Sequence, residues 1–249
     1  MLRFALLLLA CSLAPIAQAD EVRVAVASNF SAPMKELAAR FEQSTGHKVL
    51  ASFGSTGKFY AQIRNGAPFD MLLAADATTP ARLEKEGGAA PHTRITYAIG
   101  KLVLWSPQPG LVDDKGDVLR KGAFSHVSMA DPKLAPYGAA AVQVLQKLGL
   151  NDALRPKLVQ GENIGQAWQY VVSGAAPLGF VAMSQVVEGG KLTSGSAWII
   201  PANLYAPIRQ DAVVLTQGKS KKAVDAFMAY LKSDQAAALI RSSSGRRSR

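Results

Sequence analysis

The chain has 249 residues, 49% of them hydrophobic and 18% charged. This ordinary globular composition excludes a disordered, collagen-like or coiled-coil protein, and the length allows one or two domains whose cores need no disulfides. One cysteine and three histidines are too few and too scattered for a zinc site built from protein ligands.

The N-terminus has the pattern of an export signal. Arg3 precedes an uninterrupted apolar run over residues 4–10, which is too short to span a bilayer comfortably. Ala17-Gln18-Ala19 then supplies small residues at the spacing of a cleavage site. We therefore expect residues 1–19 to be removed as a signal peptide and the mature protein to begin at Asp20 in the periplasm.

A second interpretation of the N-terminus makes Cys11 the site of a lipid anchor. Leu8-Leu9-Ala10-Cys11 loosely resembles the processing site of bacterial lipoproteins. On the first interpretation Cys11 is removed with the signal peptide. The mature chain then has no thiol chemistry, which suits an oxidising compartment.

The formal net charge of +10 does not indicate a nucleic-acid partner. Residues 241–249 contain four arginines among serines, and this low-complexity stretch is predicted to be a disordered basic tail. The remaining basic residues are dispersed, without the aromatic side chains on which bases stack. The positive field would still attract a small anion.

From residue 20 onward, short apolar runs alternate with helical patterns. In the first half, strands are predicted at residues 22–27, 48–53, 71–75 and 101–105, and helices at 29–43, 58–65 and 80–86. In the second half, strands are predicted at 127–130, 178–182, 198–200 and 213–215, and helices at 138–147, 165–173, 184–188, 221–231 and 235–240, the last capped by Ser233.

This alternation predicts an α/β fold in which mostly parallel sheets are flanked by helices. The two series of elements suggest a discontinuous first lobe over residues 20–103 and 209–249 and a second lobe over 104–208. A cleft between two α/β lobes, at the carboxyl ends of their strands, is the expected place for a ligand.

Four strand-to-helix junctions place small, hydroxyl or amide residues just before a helix. They are Ala27-Ser28-Asn29, Gly54-Ser55-Thr56-Gly57, Ala135-Pro136-Tyr137-Gly138 and Asn163-Ile164-Gly165. Taken alone, each is more typical of an ordinary helix cap. Because first-turn N–H groups and the helix dipole favour negative charge, four such ends meeting at one point would bind an anion without any formal positive charge.

The junction side chains could add further hydrogen-bond donors. Hydroxyl groups are present at Ser28, Thr56 and Tyr137, whereas Ile164 can contribute only its backbone N–H. Signatures of catalysis are weak, since Gly-x-Ser-x-Gly, Walker A and Gly-x-Gly-x-x-Gly patterns are absent from the sequence. Asp70 and Asp76 flank a predicted strand, but their spacing is not that of an acid/base pair, so we expect structural roles for them.

Several longer motifs together are typical of one family. They are Ala27-Ser28-Asn29-Phe30, Phe53-Gly54-Ser55-Thr56-Gly57, Asn65-Gly66-Ala67-Pro68, the stretch from Tyr97 to Trp105, Ala135-Pro136-Tyr137-Gly138, Asn163-Ile164-Gly165-Gln166-Ala167 and Leu178-Gly179-Phe180-Val181-Ala182. Through them nearly all of the mature chain resembles the periplasmic molybdate-binding proteins of ABC importers.

The resemblance implies a two-lobed type II periplasmic binding protein that closes on its ligand by a hinge. It places the oxyanion contacts on five groups, with Ser55 as an alternative to Thr56 in the same loop: Ser28, Asn29, Thr56, Tyr137 and the Ile164 N–H. Some members use a tyrosine near position 182; this chain has Ala182 there, and Tyr137 is expected to replace it. Members also continue with an apolar segment where this chain has its Ser/Arg tail, which leaves the packing of the last helix open.

The resemblance also implies a molybdate or tungstate ligand, with no cofactor and no metal ion ligated directly by the protein. The expected partner is the membrane permease of an ABC importer, and the expected state is a monomer. Three alternatives remain: a binding protein for another tetrahedral oxyanion such as sulfate, an exported hydrolase with Ser28 or Thr56 as nucleophile, and an adaptor that binds anionic surfaces through its tail.

Overall fold

The structure, a computed structural model, describes residues 20–243. The predicted signal peptide, Cys11 and residues 244–249 of the predicted tail lie outside the described residues. The strands are β1 (Glu21–Ala27), β2 (Lys48–Gly54), β3 (Met71–Leu73), β4 (Ile95–Gly100), β5 (Leu102–Ser106), β6 (Val127–Ala130), β7 (Leu158–Gly161), β8 (Leu178–Ala182), β9 (Val187–Glu188), β10 (Lys191–Leu192), β11 (Ser196–Ile199) and β12 (Ile208–Val214).

The helices follow the predicted alternation with strands. They are α1 (Ser31–Thr45), α2 (Thr56–Arg64), α3 (Thr78–Lys85), α4 (Val118–Lys121), α5 (Pro136–Lys147), α6 (Asn151–Leu154), α7 (Ile164–Val172), α8 (Lys222–Leu231) and α9 (Asp234–Ser243), and a short 3-10 turn, Ser28–Phe30, precedes α1. Within the described residues, no helix is both long and apolar enough to cross a membrane.

Two five-stranded sheets, each flanked by helices, form the framework, which confirms the predicted two-sheet α/β fold. Their strand orders are β2-β1-β3-β12-β4 and β11-β5-β8-β6-β7. In the first, β1 runs parallel to β2 and β3, whereas β12 runs antiparallel to β3 and β4. In the second, β6 runs parallel to β7 and β8, whereas β5 runs antiparallel to β8 and β11.

The sheets are therefore mixed, not mostly parallel as predicted. Parallel pairing occurs among strands joined through intervening helices, such as β1, α1 and β2. The antiparallel strands are those at which the chain passes directly from one sheet to the other. Strand β4 continues into β5 through Lys101 alone, and β11 is connected to β12 by residues 200–207.

The two sheets suggest where the lobes divide. The sequence-based boundaries, after residues 103 and 208, fall inside β5 and β12. The apolar run over residues 102–105 did not indicate where the chain changes sheets. We propose that the lobes follow the sheets: lobe 1 comprises residues 20–100 and 208–243, and lobe 2 comprises residues 102–199.

The last helix is packed into the core of lobe 1. Its Ala236, Leu239 and Ile240 are buried in the same cluster as Phe41 and Phe227, whose rings lie 5.0 Å apart. The predicted Ser233 cap is confirmed by a 3.2 Å hydrogen bond from the Ala236 N–H to the Ser233 hydroxyl. Because these apolar residues hold the helix, it continues through residues 241–243, and the prediction of a disordered tail is wrong for those three positions.

Candidate functional site

The four predicted junctions meet at one small cavity between the lobes. Every candidate residue from the sequence lines it, and each is at most 9% exposed: Ser28, Asn29, Ser55, Thr56, Tyr137 and Ile164. This space is called the junction cavity below. Its described lining contains no charged side chain.

Lobe 1 contributes the start of helix α2. Ser55 is its N-cap, in an extended conformation, and its Oγ accepts a 3.4 Å hydrogen bond from the Lys58 N–H. The Thr56 Oγ1 accepts a 3.0 Å hydrogen bond from the Ala75 N–H. Both hydroxyl oxygens thus act as acceptors toward the backbone, and each retains its own hydrogen as a donor.

Lobe 2 contributes the starts of helices α5 and α7. Pro136 opens α5 and has no N–H, so the N–H of Tyr137 is the first that this helix can offer. Helix α7 begins at Ile164 after Asn163, whose Oδ1 accepts a 3.0 Å hydrogen bond from the Gln166 N–H. The Ile164 side chain packs in the lobe 2 core, leaving its backbone N–H as its polar contribution, as expected.

Hydrogen bonds join the two lobes directly beside the junction cavity. The Gly165 N–H donates to the Ser28 Oγ at 3.1 Å, and the Ser184 hydroxyl donates to the Asn29 carbonyl oxygen at 2.6 Å. A β-carbon at position 165 would lie 3.2 Å from the Ser28 β-carbon. The lobes are therefore in close contact on this side of the cavity.

A second set of contacts joins the lobes through α2. The Gly57 N–H donates to the Leu134 carbonyl oxygen at 2.9 Å, and a β-carbon at position 57 would lie only 3.0 Å from that oxygen. Nearby, the Lys58 ammonium forms an ion pair with Glu162. The structure is thus a closed arrangement in which both halves of the molecule surround the junction cavity.

A buried network orients two of the candidate side chains. Asn29 Nδ2 donates to Gln210 Oε1 at 2.8 Å, and Gln210 Nε2 donates to the Tyr137 hydroxyl oxygen at 3.1 Å. The Tyr97 hydroxyl lies 3.1 Å from the same Gln210 Oε1 and 2.9 Å from the Ala74 carbonyl oxygen. Sequence reasoning missed Gln210, which lies in β12 away from any strand-to-helix junction.

Burial keeps the two tyrosines of this network protonated. Desolvation raises the pKa of Tyr137 and raises that of Tyr97 well above the ordinary value of 10.0. For Tyr137, the hydrogen bond from Gln210 lowers the pKa, but it does not offset the effect of burial. Both phenol groups are therefore neutral at physiological pH, and the Tyr137 O–H can serve as a donor.

The carboxylates that flank β3 have structural roles, as expected. Asp70 accepts a 2.8 Å hydrogen bond from the Arg23 N–H and forms a 2.6 Å ion pair with Lys221. Asp76 accepts a 2.6 Å hydrogen bond from the Thr79 N–H in the first turn of α3. Over residues 20–243, no group of three or more histidine, cysteine, aspartate or glutamate side chains could hold a metal ion.

Two lobes that close around a small uncharged cavity define a solute-binding protein. The model of the bacterial extracellular solute-binding protein family matches residues 22–244, and the chain belongs to this family. Molybdate-binding protein ModA of Azotobacter vinelandii is 62% identical, covering 94% of this chain and 91% of the relative. ModA of Rhodobacter capsulatus is 52% identical, covering 94% and 92%. A solved structure of an Azotobacter vinelandii periplasmic molybdate-binding protein has a TM-score of 0.86 and 44% identity, covering 89% of this chain and 97% of that one.

Proposed function

We propose that this chain is a periplasmic binding protein that captures molybdate, and tungstate in competition with it, for an ABC importer. The observation that carries the proposal is the junction cavity, where neutral hydrogen-bond donors from both lobes gather at helix starts. The proposed contacts are the side chains of Ser28, Asn29, Thr56 and Tyr137 and the Ile164 N–H, with Ser55 as the second hydroxyl of the Thr56 loop. The names of the two relatives support molybdate as the ligand.

Neutral hydrogen-bond donors suit a fully deprotonated oxyanion. Molybdate is a tetrahedral dianion at neutral pH, and each hydrogen bond to a charged acceptor contributes about 1.5–3 kcal/mol. Bonds from the proposed donors would together offset a large part of the desolvation of the ion. Hydrogen phosphate has an O–H that needs an acceptor, so a cavity that presents mainly donors disfavours it relative to molybdate.

The same geometry explains how binding would couple to closure. An ion bonded to donors of both lobes stabilises the closed form relative to an open one. The permease would then recognise the closed form. Sulfate has the charge of molybdate but shorter bonds, so the spacing of the closed lobes would discriminate between the two ions.

The hydrolase alternative lacks support at the hydroxyls it requires. The Ser28 and Thr56 hydroxyl oxygens accept hydrogen bonds from the backbone N–H groups of Gly165 and Ala75. No histidine or carboxylate in the described part of the chain bonds to either hydroxyl, whereas an activated serine or threonine needs an adjacent base. A binding protein that acts as a monomer in the periplasm remains our proposal.

Isothermal titration calorimetry of the purified mature protein tests this function. Molybdate and tungstate should each bind with one ion per chain, and each should displace the other. Sulfate and phosphate at the same concentrations should give no saturable heat. Sulfate binding as tight as molybdate binding, or the absence of molybdate binding, would overturn the proposal.

A further inference from the structure

Gln210 is a buried amide that connects the two lobes beside the junction cavity. We propose that Gln210 is a positioning residue that makes Tyr137 present its hydrogen, not a lone pair, to the bound anion once the lobes close. This inference rests on the proposed oxyanion-binding function and adds a determinant of selectivity to it. Gln210 itself is 2% exposed and is not among the residues that line the junction cavity.

The donors and acceptors of the network fix its direction. A glutamine Oε1 can only accept and its Nε2 can only donate. Oε1 lies 2.8 Å from Asn29 Nδ2, which donates to it, and 3.1 Å from the Tyr97 hydroxyl, whose single hydrogen is shared with the Ala74 carbonyl oxygen. Turning the amide around would place Nε2 against the Asn29 donor. The observed orientation therefore satisfies Gln210 as long as Asn29 keeps its Nδ2 toward it.

This orientation determines what Tyr137 can offer. Its hydroxyl oxygen already accepts from Gln210 Nε2 at 3.1 Å, so its single hydrogen is directed away from Gln210. The Asn29 amide donates one Nδ2 hydrogen to Gln210 and also lowers the pKa of Tyr137 by hydrogen bonding to its hydroxyl oxygen. With donors from Gln210 and Asn29 around its oxygen, Tyr137 has its own hydrogen left to present to an anion.

The surrounding backbone provides the space for this arrangement. A β-carbon at Gly100 would lie 2.2 Å from the Tyr137 hydroxyl oxygen and 2.6 Å from Gln210 Nε2, so only glycine fits there without displacing the pair. The pairing of β12 with β4 shifts register between Gln210 and Asp211. This bulge buries two consecutive polar residues, of which Gln210 bonds to the site groups and Asp211 pairs with Arg94 at 2.8 Å.

Closure completes the network, because its members come from both lobes. Asn29, Tyr97 and Gln210 belong to lobe 1, whereas Tyr137 belongs to lobe 2. The Tyr137 hydroxyl is thus oriented only when the lobes meet. A carboxylate at position 210 would accept hydrogen bonds from both Asn29 and Tyr137, which would turn the Tyr137 hydrogen away from the anion and add a negative charge.

The test is calorimetry with sodium molybdate on the wild type, Gln210→Glu, Gln210→Met and a control, Gln146→Glu. Gln146 is exposed on α5, so its variant makes the same chemical change away from the network. Loss of one oriented donor predicts a dissociation constant raised by about tenfold in Gln210→Met. The dissociation constant should rise by about a hundredfold or more in Gln210→Glu, and that of the control should stay within about twofold of the wild-type value.

A double-mutant cycle separates positioning from general destabilisation. If Gln210 acts through the Tyr137 hydroxyl, Gln210→Met and Tyr137→Phe together should lose less affinity than the product of their separate losses. Losses that multiply would overturn the inference. Circular dichroism and thermal unfolding would verify folding, and should Gln210→Glu not fold, the uncharged Gln210→Met carries the test.

The two proposals fail in distinguishable ways. If the wild type binds molybdate and both Gln210 variants bind it equally tightly, the role of Gln210 is wrong and the function stands. If the wild type does not bind molybdate, the proposed function fails and the role of Gln210 fails with it.

Discussion

Replacing Thr56 by valine would remove one hydroxyl from the junction cavity and keep the shape of the side chain. Thr56 is 1% exposed, and its Oγ1 accepts the Ala75 N–H at 3.0 Å. Loss of one donor to a dianion costs about 1.5–3 kcal/mol, which corresponds to a dissociation constant raised by about tenfold to a hundredfold. The unpaired Ala75 N–H would in addition destabilise the ligand-free protein by about 1–3 kcal/mol.

Thr93→Val is a matched control for this prediction. The Thr93 Oγ1 also accepts a backbone N–H, that of Val214 at 3.2 Å, but it lies outside the junction cavity. Calorimetry with molybdate should give weaker binding only for Thr56→Val, whereas thermal unfolding without ligand should show lower stability for both variants. Wild-type affinity in Thr56→Val, or an equal loss in Thr93→Val, would refute the role assigned to the Thr56 hydroxyl.

Three further perturbations have expected outcomes. Gly100→Ala should raise the molybdate dissociation constant by about tenfold with the fold retained, because its β-carbon would lie 2.2 Å from the Tyr137 hydroxyl oxygen; unchanged affinity in calorimetry would contradict this. Lys58→Met should break the exposed ion pair with Glu162 and weaken molybdate binding by at most about fivefold at low salt. An equal loss of affinity at high salt would contradict this, because salt screens an exposed ion pair. Since burial raises the pKa of Tyr97 and Tyr137 above 10.0, the contribution of these two phenols to stability should be fully present below about pH 10 and decline above it, where the unfolded chain ionises first; thermal melts should show a smaller alkaline fall for Tyr137→Phe than for the wild type.

Much of the fold follows from local sequence patterns. The apolar runs over residues 127–130 and 178–182 predicted the bounds of β6 and β8 correctly, because both strands are fully buried and turn residues lie on either side of them. Strand β4 was not predicted, because its residues are only partly buried or exposed and the pattern has no clear apolar face. The short strand β7 was also missed, since its residues are mostly half-exposed at the edge of the second sheet.

The sequence also did not predict that both sheets contain parallel and antiparallel pairs. Parallel or antiparallel pairing depends on which strands become neighbours, and the patterns of individual strands do not specify this. Strand β12 lies between β3 and β4, although more than a hundred residues separate it from both. The sequence analysis assigned this segment to the first lobe, but periodicity within β12 could not reveal that the strand pairs there in an antiparallel orientation.

The junction residues could be selected from sequence because helix starts have a local signature. Ser55 and Asn163 cap their helices through their own side chains, as such residues commonly do. Gln210 has no such signature. Its role depends on contacts with Asn29, 181 residues away, and with Tyr137, 73 residues away, and on a strand bulge that only tertiary structure displays.

A crystal structure of the protein with molybdate, with anomalous data collected at the molybdenum absorption edge, would show directly which groups hold the ion. We predict one molybdenum peak in the junction cavity, with the oxygens of the ion bonded to the hydroxyls of Ser28 and Thr56 and to the Ile164 N–H. A peak elsewhere, or an ion held by a lysine or arginine side chain, would contradict the claim that uncharged donors from both lobes bind the anion.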